Sequence, residues 1–344
     1  YCPIHGNGIG VLVADSPFGP FKDPIGKPLV WRQEHWSDID PAIWIDDDGQ
    51  AYMYWGNPHT YCVRLNEDMI STKGEIMQMD PIGDYQEGPW FWSRKNARGE
   101  KWYYLAYAST CCPEGIGYAM SKSPTGPWEH KGHIMDHTPR TRGNHPGIID
   151  FKGKSYCFGL TYDIFRLESS RHAERRCCMA AEMTYNADGT IQELPYFQDC
   201  KLEQVGTFNP FRRVEAETMA WGYGLKTTRE NPSGPWNPTL FVTDIDDGEY
   251  ILVKGVDFGN GAKELLVSCS AQMFGGTMEI RLDAPDGWKA GSIDVPNTKF
   301  KYETFRTALT KCSGVHDLYF VFKSNSMQKK NLFNFDWWEA KACR

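Results

Sequence analysis

Three side chains able to move protons stand at matching places in this chain. Asp40 precedes a glycine turn at Gly49 by nine residues, Glu87 precedes one at Gly99 by twelve, and His145 precedes one at Gly153 by eight. Carboxylates and imidazoles are the groups that give and take protons near neutral pH. Glu87 lies in Tyr85-Gln86-Glu87-Gly88-Pro89-Trp90-Phe91-Trp92; a glutamate among rings such as Trp90 is partly desolvated, which suits a general acid. Asp40 is followed by Pro41, and proline restricts the residue before it to extended geometry. Asp40 is therefore expected at a strand mouth with a constrained direction. Asp38 lies on the same strand face, with nothing to mark it as a substitute. His145, in Gly143-Asn144-His145-Pro146-Gly147, is either a neutral imidazole held by hydrogen bonds or a metal ligand. Arg176, entering the run Cys177–Met183, is either a guanidinium aimed at sugar hydroxyls or carboxylates, or a solvated strand end.

Those residues need elements that bring them together. Asp46-Asp47-Asp48-Gly49 separates the apolar run Ala42–Ile45 from the alternating Ala51–Trp55, a hairpin signature in which glycine supplies a positive φ. The turn recurs at Gly99 and Gly153, spacings of 50 and 54 residues. A second echo sets Asp15-Ser16-Pro17-Phe18-Gly19-Pro20-Phe21 against Lys122-Ser123-Pro124-Thr125-Gly126-Pro127-Trp128, 107 residues apart, which is two repeat lengths. A four-stranded unit of about fifty residues is what a β-propeller blade requires. Innermost strands of successive blades converge on a central channel, so Asp40, Glu87 and His145 are expected to meet there.

Composition narrows the function. Aromatic residues make up 14% of the 344, with 33 glycines, which suits an all-β chain. The net charge of −7 argues against nucleic acid, and no apolar run approaches membrane-spanning length. The eleven cysteines, with vicinal pairs at Cys111-Cys112 and Cys177-Cys178, show no paired Cys-x-x-Cys spacing, so a thiolate zinc site is not expected. The start at Tyr1, in mid-pattern, predicts an upstream portion.

Near residues 200–213 the pattern changes. Gln204–Phe211 reads as a linker, and the remainder carries short strands every 8–12 residues, the signature of a β-sandwich. Expected strands are Tyr250–Val253, Glu264–Ser268, Met278–Leu282, Ser292–Val295, Asp317–Phe322 and Leu332–Trp337. Glu215 and Glu217, two apart on one strand, should share a face with Asp336, because first and last sandwich strands often neighbour each other. Three carboxylates gathered there repel without a cation, and oxygen ligands suit Ca²⁺.

At this point the chain resembles a known two-domain arrangement. Residues 1–205 resemble glycoside hydrolase family 43, through Ile39-Asp40-Pro41-Ala42, Asp47–Tyr52, Glu87-Gly88-Pro89-Trp90, Asn144-His145-Pro146-Gly147, and Arg176 followed by Tyr185–Ile191. Residues 213–341 resemble a family 6 carbohydrate-binding module, through Val214–Met219, Val253–Gly259, Gly314–Tyr319 and Phe333–Asp336. The pairing is most similar to the arabinoxylan arabinofuranohydrolase branch. The resemblance implies a five-bladed propeller, its first blade absent from this chain, followed by a jelly-roll sandwich.

It also implies roles. Glu87 takes the general-acid position and Asp40 that of the carboxylate orienting it. His145 and Arg176 fall on active-centre positions, the histidine being associated with a central ion or its waters. Trp90 lies in the substrate-binding motif, Glu215, Glu217 and Asp336 match structural calcium ligands, and Asn334 matches a sugar-contacting amide. Tyr302 keeps one wall of the module's cleft, while Asp244 stands where an aromatic usually lines the other, which should weaken stacking. The implied activity is inverting hydrolysis of arabinofuranosyl or xylosyl units of arabinoxylan by an extracellular enzyme. Its catalytic base is expected upstream of Tyr1, so this chain alone should be nearly inactive. The rival reading is a non-catalytic glycan-binding protein with a degenerate propeller.

Overall fold

A computed structural model describes all residues except 5, 18, 34–36, 80, 112, 140–143, 162–176, 201, 230–239 and 344. The chain divides into two compact units. One holds the described residues of 1–161 and 177–202, the other those of 203–343.

The first unit is a series of antiparallel sheets in chain order. β1 (Cys2–Pro3) pairs with β2 (Ile9–Gly10); β3 (Ala42–Ile45), β4 (Ala51–Trp55), β5 (Tyr61–Leu65) and β6 (Thr72–Gln78) form a meander. A second meander runs through β7 (Tyr85–Lys95), β8 (Lys101–Ser109), β9 (Glu114–Ser121) and β10 (Glu129–Thr138). β11 (Gly147–Phe151), β12 (Lys154–Thr161) and β13 (Cys177–Met183) form the next sheet. The hairpin glycines sit where expected, with φ of 82° at Gly49, 78° at Gly99 and 80° at Gly153. The echoed Ser-Pro-x-Gly-Pro turns match too: Gly19 N–H donates to Ser16 O, and Gly126 N–H to Ser123 O.

All five residues of β4 are buried rather than alternating, because both faces of an inner blade strand are covered by neighbouring sheets. The Tyr54 ring stacks on Phe91 of the next meander at 4.3 Å between centroids, with Trp44 against the same ring at 5.6 Å. A polar tie reinforces this contact. Lys101 Nζ lies 2.6 Å from Asp46 Oδ1, and the Tyr103 hydroxyl donates to Asp46 Oδ2 at 2.6 Å. The turn of one hairpin is thus fastened to β8.

The second unit packs two sheets face to face. One has the order β16 (Lys226–Arg229), β17 (Leu240–Thr243), β24 (Asn334–Ala342), β19 (Ala262–Ser270), β22 (Glu303–Ala308), with β14 (Val214–Glu215) also on β24. The other runs β15 (Trp221–Tyr223), β18 (Tyr250–Asp257), β23 (Val315–Lys323), β20 (Gly276–Leu282), β21 (Trp288–Val295). Strict alternation along β20 buries Met278, Ile280 and Leu282 against a core that includes Phe320, Phe335 and Trp338. At about 1.5–3 kcal/mol for each large apolar side chain, this burial is the main stabilising term.

Several expectations need correction. The last strand starts at Asn334, not Leu332, and the observed strands are longer than the apolar runs that marked them. Gln204–Phe211 is not a free linker: Phe208 N–H donates to Gly255 O, Asp257 N–H donates to Phe208 O, and the Phe208 ring lies 6.2 Å from Trp338. An aromatic beside a half-open strand edge gains more by packing than by staying in solvent. Among the described cysteines nine are free, and Cys111 is disulfide-bonded.

Burial alone would raise the Asp46 pKa, but hydrogen bonds from Lys101 and Tyr103 outweigh it and hold the value below the ordinary 3.8. A depressed folded value means that the carboxylate's stabilisation is complete above the unfolded value and is lost as pH falls through the folded one. Asp46→Asn should therefore lower unfolding free energy by about 1.5–3 kcal/mol at pH 7. Denaturant melts should show the deficit closing once pH drops below 3.8.

Candidate active site

Glu87 sits near the start of β7, where it pairs with Ala108 and the register slips on either side of it. Such bulges re-aim a side chain away from the regular pleat. Next to it Gly88 has φ 62°, and a Cβ there would lie 2.7 Å from His145 Cγ. Only glycine allows both that backbone and the close approach of the imidazole. Glu87 is 18% exposed, and Asn57 and His145 are among its hydrogen-bond partners. Asn57 Nδ2 donates to Oε2 at 2.5 Å, and His145 Nε2 lies 3.1 Å from Oε1. Gln86 Nε2 donates to Asn57 Oδ1 at 3.1 Å, which turns the Asn57 amide nitrogen toward Glu87.

Asp40 joins this group, its Oδ2 3.8 Å from His145 Nε2. Its backbone overturns the expectation of extended geometry: φ is +57°, in the left-handed region. Two anchors explain this. Just upstream, Asp38 is buried, accepting from Trp55 Nε1 at 2.8 Å and from Arg32 N–H at 2.6 Å. Just downstream β3 is already paired, so Asp40 absorbs the turn between them. Aspartate tolerates this region better than most residues, and strained backbone of this kind concentrates at functional sites. Asp38 is thereby structural, outside the group.

His145 is positioned by its neighbour. Asn144 is fully buried, its N–H donating to Glu114 Oε2 at 2.7 Å and its Oδ1 accepting from Leu160 N–H at 3.1 Å. The ligand atoms of Asp40, Glu87 and His145 all lie within 4.8 Å of one another, so residues from three sheets meet as the repeat predicted. Asp40 and His145 line a cavity of about 430 Å³ with Ile43, Gly88, Trp90, Phe91 and Pro146, and Glu87 adjoins it through its bond to His145. That volume is in the range of small-molecule pockets. Trp90 is 40% exposed there and donates from Nε1 to Ile148 O at 3.0 Å. A larger depression of about 830 Å³ surrounds Asp48–Ala51 and Leu65–Met69, but gathers no catalytic cluster. Arg176 lies outside the described residues. Asn57 is the contact that sequence reading missed; it follows β4, the strand of the Asp40 hairpin, and that position was its one signal.

The trio's spacing could hold a metal ion. In the second unit Glu215, Glu217 and Asp336 gather around one guanidinium. Arg213 Nε and Nη2 donate to Glu215 at 2.8 and 3.0 Å, and Arg213 lies 3.8 Å from Asp336 Oδ1. β14 does pair with β24, through Glu215 and Trp337. Glu217, however, lies in the turn after a two-residue strand rather than on one face with Glu215, because β14 ends there. Glu217 Oε2 is buried without a hydrogen-bond partner. Burial, with Glu215 and Asp336 as like charges, raises its pKa above 4.5.

Asn334 and Tyr302 come to one end of the first sandwich sheet: Asn334 pairs with Ser270, and Glu303, next to Tyr302, with Cys269. Asn334 Oδ1 accepts from Thr243 Oγ1 at 2.8 Å, and Tyr302 meets Phe241 edge-on at 5.8 Å. Phe241, unremarked in the sequence, extends Tyr302 into one apolar platform.

The profile of glycosyl hydrolases family 43 matches residues 2–191, and that of the family 6 carbohydrate binding module residues 215–342. The arabinoxylan arabinofuranohydrolase of Bacillus subtilis (strain 168) is 33% identical over 374 residues, covering 98% of this chain and 71% of its own length. A protein of the same name from Paenibacillus polymyxa is 32% identical over 373 residues, and this chain spans 57% of its length. The crystal structure of a glycoside hydrolase family 43 arabinoxylan arabinofuranohydrolase from Bacillus subtilis in complex with cellotetraose superposes with a TM-score of 0.81 at 30% identity. The superposition covers 98% of this chain and 75% of that one. The chain thus belongs to glycosyl hydrolase family 43, a glycosidase that carries a family 6 carbohydrate binding module.

Proposed function

We propose that the protein removes α-L-arabinofuranosyl or xylosyl units from plant cell-wall arabinoxylan with inversion, and that Glu87 is its general acid. The observation that carries this reading is the setting of one carboxyl group. Glu87 is held between Asn57 and His145 beside a sugar-sized cavity lined by Asp40 and His145, with the Asp40 carboxylate within 4.8 Å. Two carboxylates so close repel when both are ionised, which favours one of them holding a proton at neutral pH. Glu87, beside that cavity, gives that proton to the glycosidic oxygen as the bond to the anomeric carbon breaks. Asp40 keeps its charge and orients the acid. Inverting pairs stand about 6.5–9.5 Å apart to admit a water, so Asp40 is too near Glu87 to be the base, and another carboxylate activates the water. Both named relatives are arabinoxylan arabinofuranohydrolases, which supports the substrate. A polymer of that size is met outside the cell, so we place the enzyme there.

Glu215, Glu217 and Asp336 would hold Ca²⁺ in the sandwich. A hard cation suits three carboxylates, and the orphaned Glu217 oxygen fits the same role. The ion would neutralise that cluster and take no part in bond cleavage. Asn334 and the Tyr302–Phe241 platform would meet sugar at the module. A cation bound at the catalytic trio would have to leave Glu87 uncoordinated, because a ligating carboxylate stays ionised and cannot donate a proton.

Glu87→Gln should cut hydrolysis of substrates with poor leaving groups by about 10²–10⁴-fold. Dinitrophenyl glycosides, which need little protonation, should be far less affected. Rates on a series of aryl arabinofuranosides and xylosides read both effect and sugar preference; equal losses across the series would remove Glu87 from the acid role. For the sandwich, calcium must displace the proton favoured by the raised Glu217 pKa. The rise in melting temperature caused by Ca²⁺ should therefore grow as pH climbs above 4.5 and shrink below it. Melts with and without chelator, in the parent and in Glu217→Gln, check this, and a pH-independent shift would count against the site.

A further inference from the structure

The sheet that carries Glu87 holds a second cluster that the reaction above does not use. His130, His133 and His137 all lie on β10, and register shifts between His130 and Gly132 and again after His133 bring their rings into one row. Ring centroids are 5.8 Å apart for His130 and His133, and 4.7 Å for His133 and His137. Asp84, the residue before β7, reaches them from the opposite edge of the sheet. His133 Nε2 is 2.8 Å from Asp84 Oδ2, His137 Nε2 3.6 Å from the same oxygen, and His130 Nδ1 3.9 Å from Oδ1.

Strands β8 and β9 lie between those edges, and the meeting is possible because Gly117 leaves a trough. Gly117 pairs with His133 on one side and Tyr107 on the other. A Cβ at Gly117 would lie 2.5 Å from the Tyr107 ring and 3.1 Å from Asp84 Oδ1. Thr110 closes the end. It is β-branched yet held at φ 46°, with its N–H on Asp84 O and its Oγ1 2.7 Å from His137 Nε2. A β-branched residue in that region is an outlier of the kind found at functional sites.

An ordinary surface ion pair needs one imidazole, whereas three converge on Asp84, with Asp136 Oδ1 at 3.0 Å from His137 Nδ1 behind them. Asp84 Oδ1 is buried without a hydrogen-bond partner. The Tyr107 hydroxyl lies 2.7 Å from His130 Nδ1, and burial first, then the nearby Asp84 carboxylate, raises its pKa. The ligand atoms of Asp84, His133 and His137 lie within 4.8 Å of one another, and their side chains are 22–28% exposed. An ion can therefore enter without unfolding. Imidazole nitrogens with one carboxylate oxygen suit Zn²⁺ and its neighbours in the transition series, whereas Ca²⁺ and Mg²⁺ prefer oxygen alone.

We propose that Asp84, His133 and His137, with His130 as a further donor, bind a divalent transition-series cation, Zn²⁺ first among them, that clips the two edge strands of the β7–β10 sheet together. The ion would tie β10 to the segment entering β7, three residues before Glu87. It would act on stability and not on bond cleavage.

The test uses the whole chain, stripped with a chelator, with its exposed thiols Cys178 and Cys343 alkylated. Zinc titrated calorimetrically and retained zinc measured after dialysis should give one equivalent and a higher melting temperature. His133→Ala/His137→Ala should weaken binding by about tenfold or more and abolish the thermal shift. His145→Ala should keep both. Should the double variant fold poorly by circular dichroism, His137→Gln and Asp84→Asn serve in its place. Cu²⁺ loaded into the parent chain should show imidazole nitrogen couplings by electron paramagnetic resonance that these variants reduce. No zinc retained by the parent, an unchanged equivalent in the variants, or loss on His145→Ala instead would overturn the proposal.

Discussion

The first unit depends on bringing two carboxylates closer than two free anions would stay. Asp40 and Glu87 approach within 4.8 Å with His145 between them. Repulsion at such a distance in a partly dry cavity is worth several kcal/mol when both groups are charged. The surrounding structure must therefore hold them there, and hydrogen bonds to Asn57 and His145, together with aromatic packing between the sheets, do so. A like charge nearby favours the neutral, protonated form of one member of the pair, so the same constraint that costs stability suits one carboxyl group to giving a proton.

Backbone conformation is the means of holding them. Asp40, just before β3, and Gly88, within β7, both take positive φ, which a regular strand would not. Asp40 is bent between a buried Asp38 and a paired β3; Gly88 yields its side-chain space to His145. Thr110, just after β8, also takes a positive φ, and its hydroxyl meets His137. β4 and β20, by contrast, simply bury apolar surface.

The sandwich handles charge differently. Glu215 and Asp336 share Arg213 as a common cation, and the turn after β14 leaves one oxygen of Glu217 buried with no partner. A two-residue strand cannot set Glu215 and Glu217 on one face, so the cluster exists because β14 lies on β24 and brings Asp336 alongside. Chain ends joined in one sheet do here what converging blades do in the first unit.

Much of this was legible in the residues. The hairpin glycines, the repeat near fifty and the period-two alternation of the sandwich strands are local patterns, fixed by steric preference and by the burial of alternate side chains. The meeting of Asp40, Glu87 and His145 followed from the repeat alone, because equivalent positions in successive blades face the same channel. What the tertiary structure alone decided were contacts set by bulges, turns and missing side chains. Asn57 reaches Glu87 from the end of another sheet, the left-handed turn at Asp40 answers anchors on either side of it, and Asp84 meets the β10 histidines only because Gly117 leaves the space between them empty. No periodicity encodes such contacts, since each depends on where a chain deviates from the regular element that its own sequence specifies.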